Sequence, residues 1–414
     1  MRNVGDEHEN RPALQRSIGF PMLVLYGMGT MVGAGFFALS GEVAGKAGTQ
    51  APLAFGIAGL LALFSALAFA EWSSRLPHAG GSARYLEEAF GRRWLSAIVG
   101  WLIITTGVVS AATLAVATIR FLGNFIDLPA APAIIAVTLA MGGIAAWGVR
   151  EAVGLVVGIC VVQIATLVYV AVATFGVPEP VSEGPMALIP PLESSAWISM
   201  LSGAFLAFYA FIGFEDMVNM AEETRQVRHS MPRAVVLSLV LTTALYMVVS
   251  TALVLSIPAA TMAEAGTPLA EAVRHHGTLA IAAIGIVSIL SAVNSALVQI
   301  VMAARVAYGM ANRGYAPVCL ARISRRTRTP WLATLLATLA IALLAVSLDL
   351  TTLANITSGV LLLVFAMVNT GLWWIKGKAT DRPPYGSFTL PRSVPLVGAV
   401  VSVCALVLKL VASG

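Results

Sequence analysis

Charge is what this sequence has least of. Only 11% of its 414 residues are Asp, Glu, Lys or Arg, against about 25% in soluble domains, and that shortage excludes a water-soluble fold. Cysteine is scarce too. Cys160, Cys319 and Cys404 lie far apart, without the close spacing that a metal site or redox pair requires, and read as small packing residues. The five histidines, His8, His78, His229, His275 and His276, all fall outside the long apolar stretches, which excludes a relay of histidines inside a membrane. Apolar sequence also holds no His-x-x-x-His pair, paired cysteine or His–carboxylate set. An integral membrane enzyme is therefore not expected, and neither is a metal or cofactor.

What the chain has is apolar sequence: 58% of it, with a mean hydropathy of +0.87. That is about 240 residues of the 414, and a crossing helix takes about 20, so there is material for eleven or twelve crossings. Runs of spanning length fall at 20–43, 52–74, 94–122, 131–147, 153–176, 196–220, 233–257, 278–310, 331–348, 350–375 and 394–412. The expected fold is therefore an all-α integral membrane protein of eleven helices. The formal charge of +5 does not imply a nucleic-acid partner, because in such a chain the placement of Lys and Arg matters more than their sum. With the N-terminus cytoplasmic, alternate connections put 21 of the 25 basic residues inside and leave Lys46, Arg120, Arg274 and Lys409 outside. This asymmetry predicts a multi-pass protein of the cytoplasmic membrane with its N-terminus in and its C-terminus out. The first run follows a polar tail, Met1 to Gln15, and is too long for a signal peptide, so it is expected to be retained. The loop from Val177 to Ser195 carries Glu179, Glu183 and Glu193 without a basic residue, and is expected only to connect.

Two runs are interrupted. The first contains Gly27, Gly29, Gly33 and Gly35, and the sixth contains Gly213 followed by Glu215 and Asp216. Gly29 and Gly33 alone would fit close helix packing. Interruptions at corresponding places in runs one and six suggest instead a 5+5 inverted repeat, with an N-terminal tail and first repeat over 1–176, a second repeat over 177–375, and a loop with the eleventh helix over 376–414. Inverted repeats are a transporter architecture. A helix unwound at mid-membrane offers N–H groups to an anion and carbonyls to a cation, which suits a zwitterionic substrate.

The residues themselves carry a resemblance. Gly29-x-x-x-Gly33-Ala34-Gly35-Phe36-Phe37 resembles the first-helix signature of the amino acid–polyamine–organocation permeases, which share the fold of the bacterial leucine transporter. Glu71 through Pro77-His78-Ala79-Gly80-Gly81, Gly148-Val149-Arg150-Glu151, Phe211-Ile212-Gly213-Phe214-Glu215 with Ala221-Glu222-Glu223 and Pro232-Arg233-Ala234, Arg305 to Gly314 with Pro317, and Pro383 to Pro395 extend the likeness over nearly the whole chain. It departs at Val227, where proline is usual, at Asn312-Arg313-Gly314 in place of Arg-Asp-Gly, and in lacking a twelfth helix.

The resemblance implies a secondary or exchange transporter of amino acids working by alternating access. Polyamine or organocation transport, or a non-transporting sensor on the same scaffold, remain alternatives. It implies that N–H groups around Gly33, Ala34 and Gly35 take the substrate carboxylate, and that carbonyls of Tyr209, Ala210 and Ile212 take its ammonium. Met31 and Phe214 would line the pocket, Asn294 would line it or pack between helices, and Tyr209 would be an aromatic gate or merely a packed or lipid-facing ring. Glu215 is the only plausible proton site, or else a cap on helix six near the break. Ser291 and Ser295 on the eighth helix would line the pocket, pack between helices or help helix-one carbonyls hold sodium. In several sodium-independent relatives a lysine in the fifth helix approaches the broken first helix. Gln163 stands there, too neutral to switch, and would donate a hydrogen bond to a helix-one carbonyl or merely pack. Glu71, Glu222 and Glu223 read equally as inner-gate ion pairs or solvated charges. The expected partners are a small-molecule amino acid, membrane lipid and, as an option, a second copy of the chain. Neutral side chains are favoured over cationic ones.

Overall fold

The computed structural model describes residues 18–77, 81–147, 153–175, 188–324, 326–327, 329–379 and 381–413. The N-terminal tail to position 17, His78 to Gly80, Gly148 to Glu151 and most of the Val177 loop lie outside the described residues. Within them are fifteen helices, twelve of them on the apolar runs and three, α4, α10 and α11, between runs: α1 (Phe20–Met31), α2 (Ala34–Ala47), α3 (Ala51–Arg75), α4 (Gly81–Phe90), α5 (Arg93–Leu122), α6 (Ala130–Trp147), α7 (Val153–Phe175), α8 (Ser194–Ala207), α9 (Val227–Ser256), α10 (Ala259–Glu264), α11 (Pro268–Ala272), α12 (Thr278–Asn312), α13 (Trp331–Ser347), α14 (Leu350–Ile375) and α15 (Ser393–Ser413). Eight stretches are long and apolar enough to cross a membrane, and three shorter apolar helices complete the coverage of the eleven runs. The protein is an all-α, multi-pass membrane protein.

Both interruptions are real breaks. The first span is split at Val32 and Gly33 into α1 and α2. The sixth leaves α8 through a 3₁₀ turn at Phe208–Phe211, breaks at Ile212 and Gly213, and resumes as 3₁₀ helix over Phe214–Met220. Gly213 takes φ +123°, with Thr30 packed where a side chain would stand. Only glycine adopts that backbone without strain.

The breaks sit at the centre of a bundle packed through small residues. α5 lies along α12, α3 along α9, and α1 against α9 and α7. Gly59 faces Thr243 across the α3–α9 contact, which lets the two backbones approach closely. Phe69, Phe214 and Phe365 form a buried cluster with centroids 5.1–5.8 Å apart, joining α3, the broken sixth span and α14.

Three features differ from the apolar-run reading. α4 is an amphipathic helix between the second and third spans, with Tyr85, Leu86 and Ala89 buried. α10 lies on α2, where Gly41 and Gly45 meet Met262 and Ala263. α9 begins six residues before its apolar run, so His229 falls in a helix, in its first turn. At the same face Ile18 pairs with the chain after the sixth span: its N–H donates to Glu223 O (3.1 Å) and its carbonyl accepts from Arg225 N–H (2.9 Å).

The arginine-rich face also carries a buried ion cluster. Glu71, fully buried, accepts from Arg75 (2.7 Å), from Lys376 (2.5 Å) and from Leu390 N–H (3.1 Å), while Arg75 reaches Asp381 at 2.7 Å. Of the two roles open to Glu71, solvated charge is therefore excluded. It fastens α3 to α14 and to the 381–392 loop.

Candidate functional site

The two breaks meet face to face. A Cβ added to Gly35 would stand 2.9 Å from Ala210 Cα, and one added to Gly33 would stand 2.5 Å from Ser295 Oγ. Thr30 Oγ1 lies 2.9 Å from Gly27 O and 3.1 Å from Gly213 O, pinning the end of α1 to the break in the sixth span. Between them lies a cavity of about 30 Å³, lined by Thr30, Met31, Gly33, Gly35, Ser110, Leu114, Tyr209, Ile212, Ser295 and Gln299. That is room for a water or so, so a larger solute requires the breaks to part.

Tyr209 forms one wall. Its hydroxyl lies 2.9 Å from Ser110 Oγ and donates to Ser110 O at 3.2 Å, which ties this ring to α5. Sequence reasoning passed over Tyr246, Ser110 and Gln299, single polar residues in apolar runs with no motif around them, and Thr30, which stands at an unassigned position inside the Gly29-x-x-x-Gly33 signature. Tyr246, on α9, places its hydroxyl 2.7 Å from Met31 O and 3.1 Å from Ala210 O, so one proton is shared between carbonyls of both broken spans. Its ring stacks on Phe36 with centroids 4.5 Å apart.

The other expected residues divide. Met31, Gly33, Gly35, Tyr209, Ile212 and Ser295 line the cavity, and Ala34 opens α2 at its edge. The carbonyls of Tyr209 and Ala210 already accept from Ile212 N–H (3.2 Å) and from Tyr246. Phe214 packs in the aromatic cluster rather than on the cavity. Asn294 is half-buried on α12 and is not among the lining residues. Among the described residues Gln163 does not bond to the broken first span: its Nε2 donates to Ser291 Oγ on α12 at 2.8 Å, and its buried Oε1 has no partner there. α7 packs on both α1 and α12, and the Gln163 amide meets the latter.

Glu215 accepts from Gly213 N–H at 2.9 Å and faces a second cavity, of about 80 Å³, shared with Asp216, Asn219, Thr106, Met302 and Val306. Gln299 lines both this space and the central one. Asp216, Asn219, Met302 and Val306 in turn also line a vestibule of about 250 Å³ with Tyr26 and Arg305. Three spaces thus step from the breaks toward the arginine-rich face.

On the opposite side the path is closed. Glu42 of α2 pairs with Arg120 at the end of α5 (2.7 Å) and accepts from Thr351 at the start of α14 (3.1 Å), and Asn124 bonds to Thr267 beside α11. The Glu42 pair is partly exposed, and such pairs contribute about 0–1 kcal/mol. Arg120→Gln is therefore expected to raise labelling of a Leu114→Cys reporter from that side by about two- to fivefold, measured with a membrane-impermeant thiol reagent in a cysteine-free background. An unchanged rate would show that the pair does not hold the closure.

The sequence profile described as amino acid permease matches residues 18–413. The chain belongs to this family. An uncharacterized transporter of Mycobacterium tuberculosis is 29% identical over 416 residues, covering all of this chain and 91% of that protein. A branched-chain amino acid permease of Bacillus subtilis is 26% identical over 95% of this chain and 87% of its own. The mitochondrial cationic amino acid transporter 3 of Arabidopsis thaliana is 28% identical over 89% of this chain and 63% of its own. The protein is a permease that carries amino acids across a membrane, and not an enzyme.

Proposed function

We propose that this permease carries neutral amino acids by alternating access, as an exchanger or facilitator in the cytoplasmic membrane, with its N-terminus inside and C-terminus outside. The carboxylate sits on the N–H groups of Gly33, Ala34 and Gly35 at the start of α2, where the helix dipole favours an anion. The ammonium faces the unwound segment around Ile212. The observation that carries the substrate class is the central cavity's lining, which among the described residues includes Met31, Leu114 and Ile212 and no charged side chain. The name of the Bacillus relative agrees with such a wall, and a cationic side chain would need the acids one cavity further in. Spans one to five and six to ten act as the two repeats, and the breaks rock between the closed Glu42 side and the open vestibule. Gln163 carries no charge to switch, which supports exchange over drive by a titrating amine. A dimer through α15 is compatible with its exposed apolar face.

The test uses purified protein in liposomes. Preloaded vesicles are expected to take up labelled leucine, valine or alanine by counterflow, with arginine and lysine competing weakly. Empty vesicles are expected to show no concentrative uptake under an imposed pH or sodium gradient. Uptake driven by the pH gradient and lost in Glu215→Gln would replace exchange with proton coupling through Glu215. Uptake driven by sodium would replace it with a cation site, and dominant competition by arginine would overturn the neutral substrate class.

A further inference from the structure

A groove of about 470 Å³ opens to the membrane between α3, α8 and α15, walled by Ile57, Leu61, Leu201, Phe205, Val401 and Leu408. Its volume lies within the range of about 300–1,000 Å³ typical of ligand clefts. By their place in the chain, Ile57 and Leu61 near the start of α3, Leu201 and Phe205 ahead of the break in the sixth span, and Leu408 near the end of α15 lie away from the arginine-rich face. At the groove's mouth stands Lys409, its ammonium 5.4 Å from the centroid of the Phe205 ring, a cation–π contact that holds the charge over the apolar wall. Lys46 of α2 is the neighbour of Ala47, which packs on Gly203 of α8 between the groove residues Ser202 and Ala204. Among the described residues neither ammonium has a carboxylate within ion-pair distance, and Glu42, one turn from Lys46, is committed to Arg120 and Thr351.

An anion held at this end of the groove is attracted by both ammonium groups. An apolar trough with one ammonium group at its mouth and a second on the neighbouring α2 matches a molecule with a long hydrocarbon chain and a negative head. We propose that an anionic phospholipid of the leaflet opposite the arginine-rich face binds here, one acyl chain in the groove and its phosphate between Lys46 and Lys409. A zwitterionic lipid brings its own ammonium to the same place and loses most of the advantage. Because Lys46 rides on α2, the half of the broken first span that must move for access from that side, the bound lipid ties transport to the charge of the membrane.

The full-length protein, purified in neutral detergent, is examined by native mass spectrometry and by thermal unfolding with dioleoyl phosphatidylglycerol, dioleoyl phosphatidylcholine or inorganic phosphate. Phosphatidylglycerol is expected to be retained about tenfold more strongly than phosphatidylcholine and to raise Tm, while phosphate alone does nothing. Lys46→Gln/Lys409→Gln is expected to abolish the preference and Lys46→Arg/Lys409→Arg to keep it, with circular dichroism confirming that both variants are folded. Ala405→Trp, which fills the groove, is expected to remove the retained lipid. Equal retention of the two lipids, an undiminished preference in the Gln variant, or the same Tm rise with phosphate overturns the proposal. Loss of a dimer rather than of lipid in Ala405→Trp also overturns it, and assigns the groove to a second copy.

Discussion

Gly35→Ala is expected to cut substrate affinity by about 10- to 100-fold, with the protein still inserted and helical. The added methyl carbon would stand 2.9 Å from Ala210 Cα, a backbone atom of the other broken span, and backbone cannot rotate aside as a side chain does. The two breaks must then separate, and the N–H groups at the start of α2 move away from Ile212. Gly33 offers a sharper comparison. Its methyl carbon would meet Ser295 Oγ at 2.5 Å, and a serine hydroxyl can turn. Gly33→Ala is therefore expected to bind more weakly than the parent by less than Gly35→Ala, and Ser295→Ala should restore part of the loss. Gly33→Val, whose branched side chain fills a cavity of about 30 Å³, should abolish binding altogether. Equilibrium binding of labelled substrate to the purified variants decides the order. Normal affinity in Gly35→Ala would mean that the breaks do not form the site.

Tyr246→Phe is expected to lower the transport rate by about tenfold or more while leaving the fold intact. The substitution keeps the ring and its stacking on Phe36 but removes the hydroxyl shared by Met31 O and Ala210 O. A buried carbonyl stripped of its donor costs about 1–3 kcal/mol, and here both carbonyls belong to segments that have already lost helical partners. The penalty falls on the arrangement in which α1 and the sixth span are held together, so the cycle should slow more than binding weakens. Comparing counterflow rate with equilibrium affinity separates these effects. A parallel fall in both would indicate that the hydroxyl contacts substrate, and no fall in either would mean that the tyrosine only packs.

How much of this was legible in the sequence depends on distance along the chain. Spanning helices announce themselves within about 20 residues, and the breaks announce themselves because glycine in an apolar helix needs a reason. The helix α4 escaped notice because it is amphipathic, lying on the bundle's edge rather than in it. Glu71 showed only a carboxylate near arginines; its partners Lys376 and Leu390 come from some 300 residues away. Tyr246 looked like any aromatic in an apolar run, since nothing local says that two carbonyls will be waiting for it. Gln163 was read against the first span, but α12 offered a serine at hydrogen-bond distance. Asn294 is polar in the right helix yet stands off the cavity lining, where the turn of α12 carries it. Periodicity and composition describe each helix alone, whereas the site is made of what the helices do to one another.

The pairing of Ile18 with Glu223 and Arg225 is made wholly of main-chain groups. Every residue but proline supplies the same N–H and carbonyl, so positions 18, 223 and 225 can drift through almost any side chain while the link between the first span and the sixth persists. Substitution scanning at those positions would report indifference, and covariation between distant relatives would carry no trace of the link. A mechanical coupling between two moving parts of a transporter can therefore be invisible to every method that reads side chains, and a proline at position 225, which abolishes the donor, is a direct way to cut it.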